Sequence, residues 1–227
     1  MVAYRPVPNR PAAPVLPVSP VGQASCRADE RETGVELSER FDQAFQLASD
    51  LHRTQMRKSS KIPYLSHLMA VSGLVLENGG TEDEAIAALL HDAVEDQGGP
   101  PTLERIRVAF GSGVADMVMA LSDTDQTPKP PWRERKERYL DHLEEAPVPV
   151  LRVSAADKLH NARSIVRDYL LLGEDLWNRF SAPAADQVWY YRSLADVFRR
   201  RLGGPLASDL SRTVADLEWL MASPRVI

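Results

Sequence analysis

The segment TEDEAIAALLHDAVED, residues 81–96, contains the signals from which we predict the fold. Thr81 is followed three residues later by Glu84, and this capping-box pattern opens a helix by satisfying its first backbone N–H groups. The apolar run over residues 85–90 predicts that the helix is buried and continues to about Val94. Any polar side chain on this helix therefore needs a partner inside the protein.

The same helical periodicity continues on both sides of this segment, with short loops and almost no strand-like alternation. Ser38 is placed to cap the first predicted helix. The predicted helices cover about residues 39–51, 65–76, 81–94, 102–110, 114–121, 132–145, 149–171, 174–201 and 206–222. The pattern predicts a compact all-α domain over residues 36–222, without an internal repeat.

Composition excludes several classes of protein. The chain has 227 residues, of which 44% are hydrophobic and 26% are charged, as in a globular domain. Its formal net charge of −5 provides no global basic field, so we predict no nucleic-acid partner. No stretch approaches the roughly 20 apolar residues that cross a bilayer, so we predict no membrane partner. A single cysteine, Cys26, indicates a reducing compartment, and we predict the cytoplasm. Nothing in the sequence indicates an oligomeric state.

The first 35 residues differ from the rest. Prolines at positions 6, 8, 11, 14, 17 and 20 interrupt every apolar run that could serve as a targeting signal. This composition favours polyproline II over packing. We therefore predict a flexible, disordered Pro-rich leader over residues 1–35.

Four polar residues on otherwise apolar predicted helices indicate a metal site. His91 and Asp92 lie together near the end of the buried helix, while His67 and Asp157 lie on two other helices. An isolated buried carboxylate costs several kcal/mol, and a cation relieves that cost. Two imidazoles and two carboxylates suit a divalent ion that retains water, with Mn²⁺ favoured and Fe²⁺, Zn²⁺ or Co²⁺ as alternatives.

Open coordination positions imply chemistry on a bound water. A metal ion lowers the pKa of such a water and polarises a phosphoryl oxygen. Glu95 and Asp96 follow the histidine-aspartate pair directly and are candidates to orient or deprotonate the attacking water.

The order His67, His91-Asp92, Asp157 resembles the H…HD…D signature of the HD-type metal-dependent phosphohydrolases. More narrowly, HDAVED at 91–96 is similar to the HDxxED segment of the Rel/Spo-type alarmone hydrolases. Those enzymes remove the 3′-pyrophosphate of (p)ppGpp with Mn²⁺.

Two further stretches carry the same resemblance. HRTQMRKS at 52–59 with PYLSH at 63–67 is similar to the HxxQxRKSGxPYxxHP stretch of the family, and ADKLHNAR at 156–163 is similar to its ADKLHNxR stretch. The similarity covers about residues 38–200. It implies the HD-domain fold and, from the chain length, a stand-alone small alarmone hydrolase.

The resemblance also implies roles for single residues. His67, His91, Asp92 and Asp157 match the metal ligands, and Glu95 and Asp96 match the pair that activates water. The residues that match the family's contacts to the nucleotide are Arg57, Lys58, Ser59 and Asn161. The implied partner is a small nucleotide substrate.

Four basic residues lie in or just after the proline-containing loop at residues 122–131. They could provide a local positive field that attracts an anionic nucleotide. A solvent-exposed helix face explains them equally well. The four residues are Lys129, Arg133, Arg135 and Lys136.

Departures from the family pattern leave alternatives open. Ser60-Lys61-Ile62 replaces the usual Gly-Glu before Pro-Tyr, and Leu68 stands where the family often has proline. These changes adjoin the predicted base site, so the same chemistry on another nucleotide is an alternative: a nucleoside mono- or triphosphate, an adenosine alarmone or NADPH. A non-catalytic nucleotide-binding or toxin-neutralising module is a third possibility.

Overall fold

The structure, a computed structural model, describes residues 35–58, 60–122 and 130–223. The predicted leader over residues 1–35 lies outside this part of the chain except for its last residue. Ser59 and Lys129, both singled out from the sequence, also lie outside it.

The described ranges contain ten α-helices and one 3-10 helix, with no strand, which confirms the predicted all-α class. The α-helices are α1 (Glu39–Leu51), α2 (Leu65–Glu77), α3 (Glu82–Leu90), α4 (Ala93–Asp96), α5 (Pro100–Phe110), α6 (Ser112–Leu121), α7 (Trp132–Glu145), α8 (Val148–Leu172), α9 (Ala184–Arg201) and α10 (Gly204–Ala222). The 3-10 helix is Gly173–Arg179, between α8 and α9.

Two predicted caps begin their helices as expected. The Ser38 hydroxyl accepts a hydrogen bond from the Arg40 backbone N–H at 3.2 Å, at the start of α1. The Thr81 hydroxyl accepts from the Glu84 N–H at 3.3 Å, and the Glu84 carboxylate accepts from the Thr81 N–H at 2.6 Å. This reciprocal pair is the capping box of α3.

The buried helix predicted to run to Val94 ends at Leu90 instead. At Asp92 the backbone has φ −97° and ψ −1°, and the short helix α4 begins only afterwards. His91 Nδ1–H donates to the Ala88 carbonyl oxygen at 2.8 Å, which satisfies one carbonyl at the end of α3. The break lies at the histidine-aspartate pair, which periodicity alone placed on one continuous helix.

Two other helix boundaries were predicted wrongly because of proline and glycine. The helix α5 begins at Pro100 rather than after Thr102, since proline fits the first helical turn, where its missing N–H is not needed. The single helix predicted over 174–201 is a 3-10 helix followed by α9. Gly173, at φ +65°, ends α8, and Pro183 precedes α9.

Apolar side chains form two clusters, and the helices α2, α3 and α6 contribute residues to both. One joins α7, α8, α9 and α10, with Leu151, Leu159 and Phe198 fully buried. The other joins α1, α3, α5 and α6. The helix α8 packs against α2, α3, α6, α9 and α10, so polar residues along it meet several other elements.

A buried ion pair fixes α3 against α8. The Arg152 guanidinium on α8 donates to the Glu84 carboxylate, whose side chain is 2% exposed. Because α3 leads to His91 and α8 carries Asp157, this pair sets the spacing of the two helices that bring candidate ligands together.

No helix among the described residues has the length and apolar character that crossing a membrane requires.

Candidate metal centre and adjoining cavities

Three helices bring His67, His91 and Asp157 to one point. One candidate ligand atom from each lies within 4.8 Å of the others, and all three residues are buried. Asp157 Oδ1 is 3.1 Å from His67 Nε2 and 3.7 Å from His91 Nε2. Residues 90 positions apart in sequence thus share one site inside the protein.

Asp92 lies at the edge of this cluster. Its Oδ2 is 2.9 Å from His91 Nε2 and 3.9 Å from His67 Nε2, and it accepts a hydrogen bond from the Tyr64 hydroxyl. The break after α3 brings this carboxylate beside His91. All four residues predicted as metal ligands therefore lie together.

Hydrogen bonds from outside the cluster orient its members. His67 Nδ1 is 2.8 Å from His160 Nδ1, while His91 Nδ1 is bonded to the Ala88 carbonyl. Asp157 Oδ1 accepts from Asn161 Nδ2 at 2.6 Å, and Asp157 Oδ2 accepts from Lys158 Nζ at 2.7 Å. With Nδ1 engaged in both histidines, each Nε2 faces the centre, as in many protein sites that bind metal through imidazole.

Burial and charge act against each other on these groups. Burial lowers the pKa of His67, and the hydrogen bond and charge of Asp157 only partly oppose it. Burial also disfavours the His91 cation, but Asp92 and Asp157 outweigh it and raise its pKa. The pKa of Asp157 is held well below its usual range, because Lys158 and the two histidines overcome the effect of burial.

The cluster fits a divalent cation. His91 Nε2 is buried and makes no hydrogen bond of acceptable geometry in the described structure, although two carboxylates are close. Imidazole nitrogens and carboxylate oxygens that converge within 4.8 Å of one another form a suitable donor set for such an ion.

A small cavity of about 180 Å³ adjoins the cluster. We refer to it as the metal-side cavity. It is lined by Tyr64, Asp92, Glu95, Leu121, Lys136, Tyr139, Asp157, Lys158, Asn161 and Tyr190. Of the predicted water-activating pair, Glu95 lines this cavity, whereas Asp96 lies at the surface and accepts a hydrogen bond from Gln55 Nε2 at 2.8 Å. Partial burial, together with Asp92 and Glu95, raises the pKa of Asp96.

A second cavity of about 490 Å³ lies next to the first, and we refer to it as the larger cavity. Tyr64 and Asn161 line both, so the two cavities meet at these side chains. The other residues that line the larger cavity are Arg57, Lys58, Ser60, Ile62, Ser164, Ile165, Arg167, Asp168, Leu176, Arg179, Phe180 and Tyr191.

Three of the four predicted nucleotide contacts, Arg57, Lys58 and Asn161, line the larger cavity, while Ser59 lies outside the described residues. Arg57 Nη2 donates to Asn161 Oδ1 at 2.8 Å, and Lys58 lies beside Arg57 in the lining. Arg57 Nη1 is buried without a hydrogen-bond partner among the described residues.

Comparison with known proteins gives the family. An HD-domain profile matches residues 44–183, more than half of the chain. The chain belongs to the HD-domain family. It is 36% identical over 128 residues to the guanosine-3′,5′-bis(diphosphate) 3′-pyrophosphohydrolase MESH1 of Xenopus tropicalis, which covers 55% of this chain and 69% of that protein.

Two other HD-domain comparisons extend this result. The chain is 32% identical over 132 residues to the bifunctional (p)ppGpp synthase/hydrolase SpoT of Escherichia coli strain K12, covering 56% of this chain but only 18% of that enzyme. Its fold is similar to the solved structure of a metazoan ortholog of SpoT that hydrolyses ppGpp. That match has a TM-score of 0.65 and 24% identity, and it covers 81% of this chain and 98% of the other. The HD-domain fold predicted from the sequence is confirmed.

Some residues of the HD-domain site were not singled out as site residues from the sequence. Tyr64 precedes His67 in the PYLSH stretch, yet its bond to Asp92 depends on the break after α3. Tyr190 packs in the core and also lines the metal-side cavity. Of the basic residues on α7, Lys136 faces that cavity, whereas Arg133 lies 3.2 Å above the Trp189 ring and pairs with Glu137.

Proposed function

We propose that this protein is a metal-dependent phosphohydrolase that removes the 3′-pyrophosphate of (p)ppGpp, giving GDP or GTP and pyrophosphate. One observation carries the proposal: a buried His67, His91 and Asp157 cluster, with Asp92 at its edge, adjoins the junction of two cavities. The larger cavity has room for a nucleoside, and the smaller one has room for the group that is cleaved. The named activities of MESH1 and SpoT support this assignment.

In this proposal His67, His91, Asp92 and Asp157 hold the metal ion. Mn²⁺ is our first choice, with Fe²⁺, Zn²⁺ and Co²⁺ as alternatives, because the donor set mixes imidazole and carboxylate. A bound divalent ion supplies a Lewis acid for a phosphoryl oxygen and lowers the pKa of a water. Tyr64 holds Asp92, His160 holds His67, and Lys158 and Asn161 hold Asp157. The Ala88 carbonyl holds His91.

The nucleoside occupies the larger cavity. Arg57 lies in the lining with its Nη2 held by Asn161 Oδ1, so its plane is oriented before substrate binds. A planar guanidinium stacks on a purine and donates to its acceptors. Lys58 and, by resemblance, Ser59 complete the contacts to the nucleotide, while Asn161 contacts it where the two cavities meet.

Glu95 is the residue that we place next to the reacting water, since it lines the metal-side cavity. It orients the water and takes its proton as the oxygen adds to the phosphorus next to the ribose 3′-oxygen. The bond between that phosphorus and the 3′-oxygen breaks, and the 3′-oxygen takes up a proton. Asp96 adds negative charge beside Glu95 and is held at the rim by Gln55.

A second candidate function is the same chemistry on another nucleotide. Ser60 and Ile62 belong to the stretch that departs from the family pattern, and both line the larger cavity. A changed lining alters which base fits, so another purine nucleotide or NADPH is the alternative substrate. A non-catalytic binding module explains the nucleotide cavity but gives no reason for Glu95 beside a complete ligand set. We propose the cytoplasm as its location, where nucleotides and reduced thiols coexist.

The direct test is hydrolysis by manganese-loaded protein. We expect ppGpp to yield pyrophosphate and GDP, and Asp157→Asn to abolish both metal retention and product formation. The control is Asp209→Asn on α10. The Asp209 carboxylate forms an ion pair with Arg163, and neither residue lines either cavity. A panel of adenosine alarmones, nucleoside mono- and triphosphates and NADPH separates the two candidates. If the protein hydrolyses another nucleotide of the panel but not ppGpp, the guanosine assignment is overturned. If it hydrolyses no nucleotide of the panel with any of the four metals, the enzyme assignment is overturned.

A further inference from the structure

The metal-side cavity contains two groups that metal binding and water activation do not use. Lys136 comes from α7 and Tyr190 from α9, and neither lines the larger cavity. Lys136 Nζ lies 5.1 Å from the centroid of the Tyr190 ring, so the two side chains are neighbours. They contribute an amino group and a hydroxyl group to a cavity whose other charged groups are mainly carboxylates.

The Tyr190 hydroxyl is an unusual group to find in such a place. The residue is 4% exposed, and the hydroxyl is buried without a hydrogen-bond partner in the described structure. Buried hydroxyls in proteins are nearly always satisfied, by protein, water or ligand. Packing of the ring against Trp132 and Tyr191 explains the aromatic group of Tyr190 but leaves its hydroxyl unexplained.

Lys158, the other lysine of the cavity, is already engaged. Its ammonium group is bonded to Asp157 Oδ2 and lies 5.1 Å from the centroid of the Tyr139 ring, while the Tyr139 hydroxyl is bonded to Ser154. Lys158 therefore acts on Asp157. Lys136 and Tyr190 also line this cavity, and neither is in contact with a candidate metal ligand in the way that Lys158 is.

The position of the two cavities gives the direction of a bound substrate. A nucleoside in the larger cavity reaches the cluster past Tyr64 and Asn161, which line both spaces. The phosphorus that is attacked must lie at the cluster. A second phosphate is joined to the first by one anhydride bridge. It then extends into the metal-side cavity, away from Tyr64 and Asn161 and toward residues that line this cavity alone.

We propose that Lys136 and Tyr190 form a subsite for the terminal phosphate of the leaving pyrophosphate group. This inference rests on the proposed function, and it predicts that the site prefers a diphosphate to a monophosphate. The Lys136 ammonium and the Tyr190 hydroxyl donate to oxygens of the terminal phosphate. A leaving group with a single phosphate reaches neither donor.

The experiment measures equilibrium binding of inorganic pyrophosphate and inorganic phosphate to manganese-loaded protein by calorimetry. Lys136→Met is expected to weaken pyrophosphate binding about tenfold or more, the scale of one lost charge-assisted hydrogen bond, and to change phosphate binding by less than about threefold. Tyr190→Phe is expected to act in the same direction with a smaller effect. It removes only the hydroxyl and keeps the ring packing, so it tests the subsite even if Lys136→Met fails to fold.

The matched control is Arg138→Met, a cation on α7 that is exposed and pairs with Glu134. It is expected to leave both affinities unchanged. Equal losses for pyrophosphate and phosphate, or no loss in either variant, would overturn the subsite. The measurement uses no nucleotide, so selective pyrophosphate binding in a protein that does not hydrolyse ppGpp would support the subsite while the guanosine assignment fails.

Discussion

His160 Nδ1 lies 2.8 Å from His67 Nδ1, and this contact decides which nitrogen of His67 faces the cluster. Burial, with His67 and Arg57 nearby, lowers the pKa of His160 to about 4, so His160 is neutral near pH 7 and can accept a hydrogen bond. His67 then carries its hydrogen on Nδ1 and presents the lone pair of Nε2 to a metal ion.

Replacing His160 should therefore weaken metal binding without removing a ligand. We expect His160→Phe to lower the affinity for Mn²⁺ by about 10- to 100-fold, the usual effect of losing a group that orients a ligand. Titration of free Mn²⁺ by electron paramagnetic resonance measures this. His142→Phe is the control, because His142 is exposed on α7. An unchanged Mn²⁺ affinity in His160→Phe would show that His67 needs no such partner.

The proposed role of Glu95 predicts a separation of metal binding from turnover. Glu95→Gln keeps the size of the side chain and removes the base, so bound Mn²⁺ should remain while kcat falls by about 10²- to 10⁴-fold. Asp92→Ala should lose metal and activity together. The measurements are metal content after gel filtration and the initial rate of pyrophosphate release. Wild-type turnover in Glu95→Gln would exclude this carboxylate from the proton transfer.

The orientation of Arg57 predicts an effect on substrate binding. Its guanidinium is held by Asn161, and the residue lines the larger cavity. We expect Arg57→Ala to raise KM about tenfold or more and to leave kcat within about threefold, as for binding shared by ground and transition states. Arg53→Ala is the control, since Arg53 is exposed and pairs with Asp50. A fall in kcat at constant KM would place Arg57 in the chemical step instead.

Lys136 predicts a pH dependence of pyrophosphate binding. Burial lowers its pKa to about 7, helped by the cations Lys158 and Arg135 and opposed by Glu95 and Asp157. A lysine is charged below its pKa, so the fraction that carries the positive charge falls about tenfold from pH 6 to pH 8.

Arginine at this position stays charged throughout that range. The pyrophosphate dissociation constant of the wild type, divided by that of Lys136→Arg at the same pH, should therefore rise from pH 6 to pH 8. The ratio cancels the ionisation of pyrophosphate itself, which is common to both proteins. A ratio that is constant with pH would mean that Lys136 does not titrate in this range.

The sequence was informative where structure depends on neighbours along the chain. The Thr81 and Glu84 capping box needs only residues three apart, and the apolar run behind it predicts burial directly. The candidate ligands were found because His67, His91 and Asp157 interrupt such apolar runs. Their convergence follows from the packing of α2, α3 and α8, which the family resemblance implied and periodicity did not.

Other parts of the site depend on tertiary packing that leaves no local signal. The contact between His160 and His67 joins residues 93 positions apart, so no local pattern pairs them. Lys136 and Tyr190 reach one cavity because α7 packs on α9, whereas their sequence neighbours suggested a solvated face and a core helix. The prediction of one long helix over 174–201 was wrong because it gave the apolar pattern more weight than Pro183, which precedes the start of α9.

The buried pair of Glu84 and Arg152 gives a prediction about stability. Arg152→Met leaves the Glu84 carboxylate 2% exposed without its cation, so we expect the free energy of unfolding to fall by about 3 kcal/mol. Adding Glu84→Gln to that variant removes the uncompensated charge while its side chain can still accept from the Thr81 N–H, and should restore part of the loss. Urea unfolding followed by circular dichroism measures both, with Arg212→Met as an exposed control. If the double variant is less stable than Arg152→Met, an isolated buried charge is not the cause, and the contacts of the Glu84 side chain in the capping box carry the stability instead.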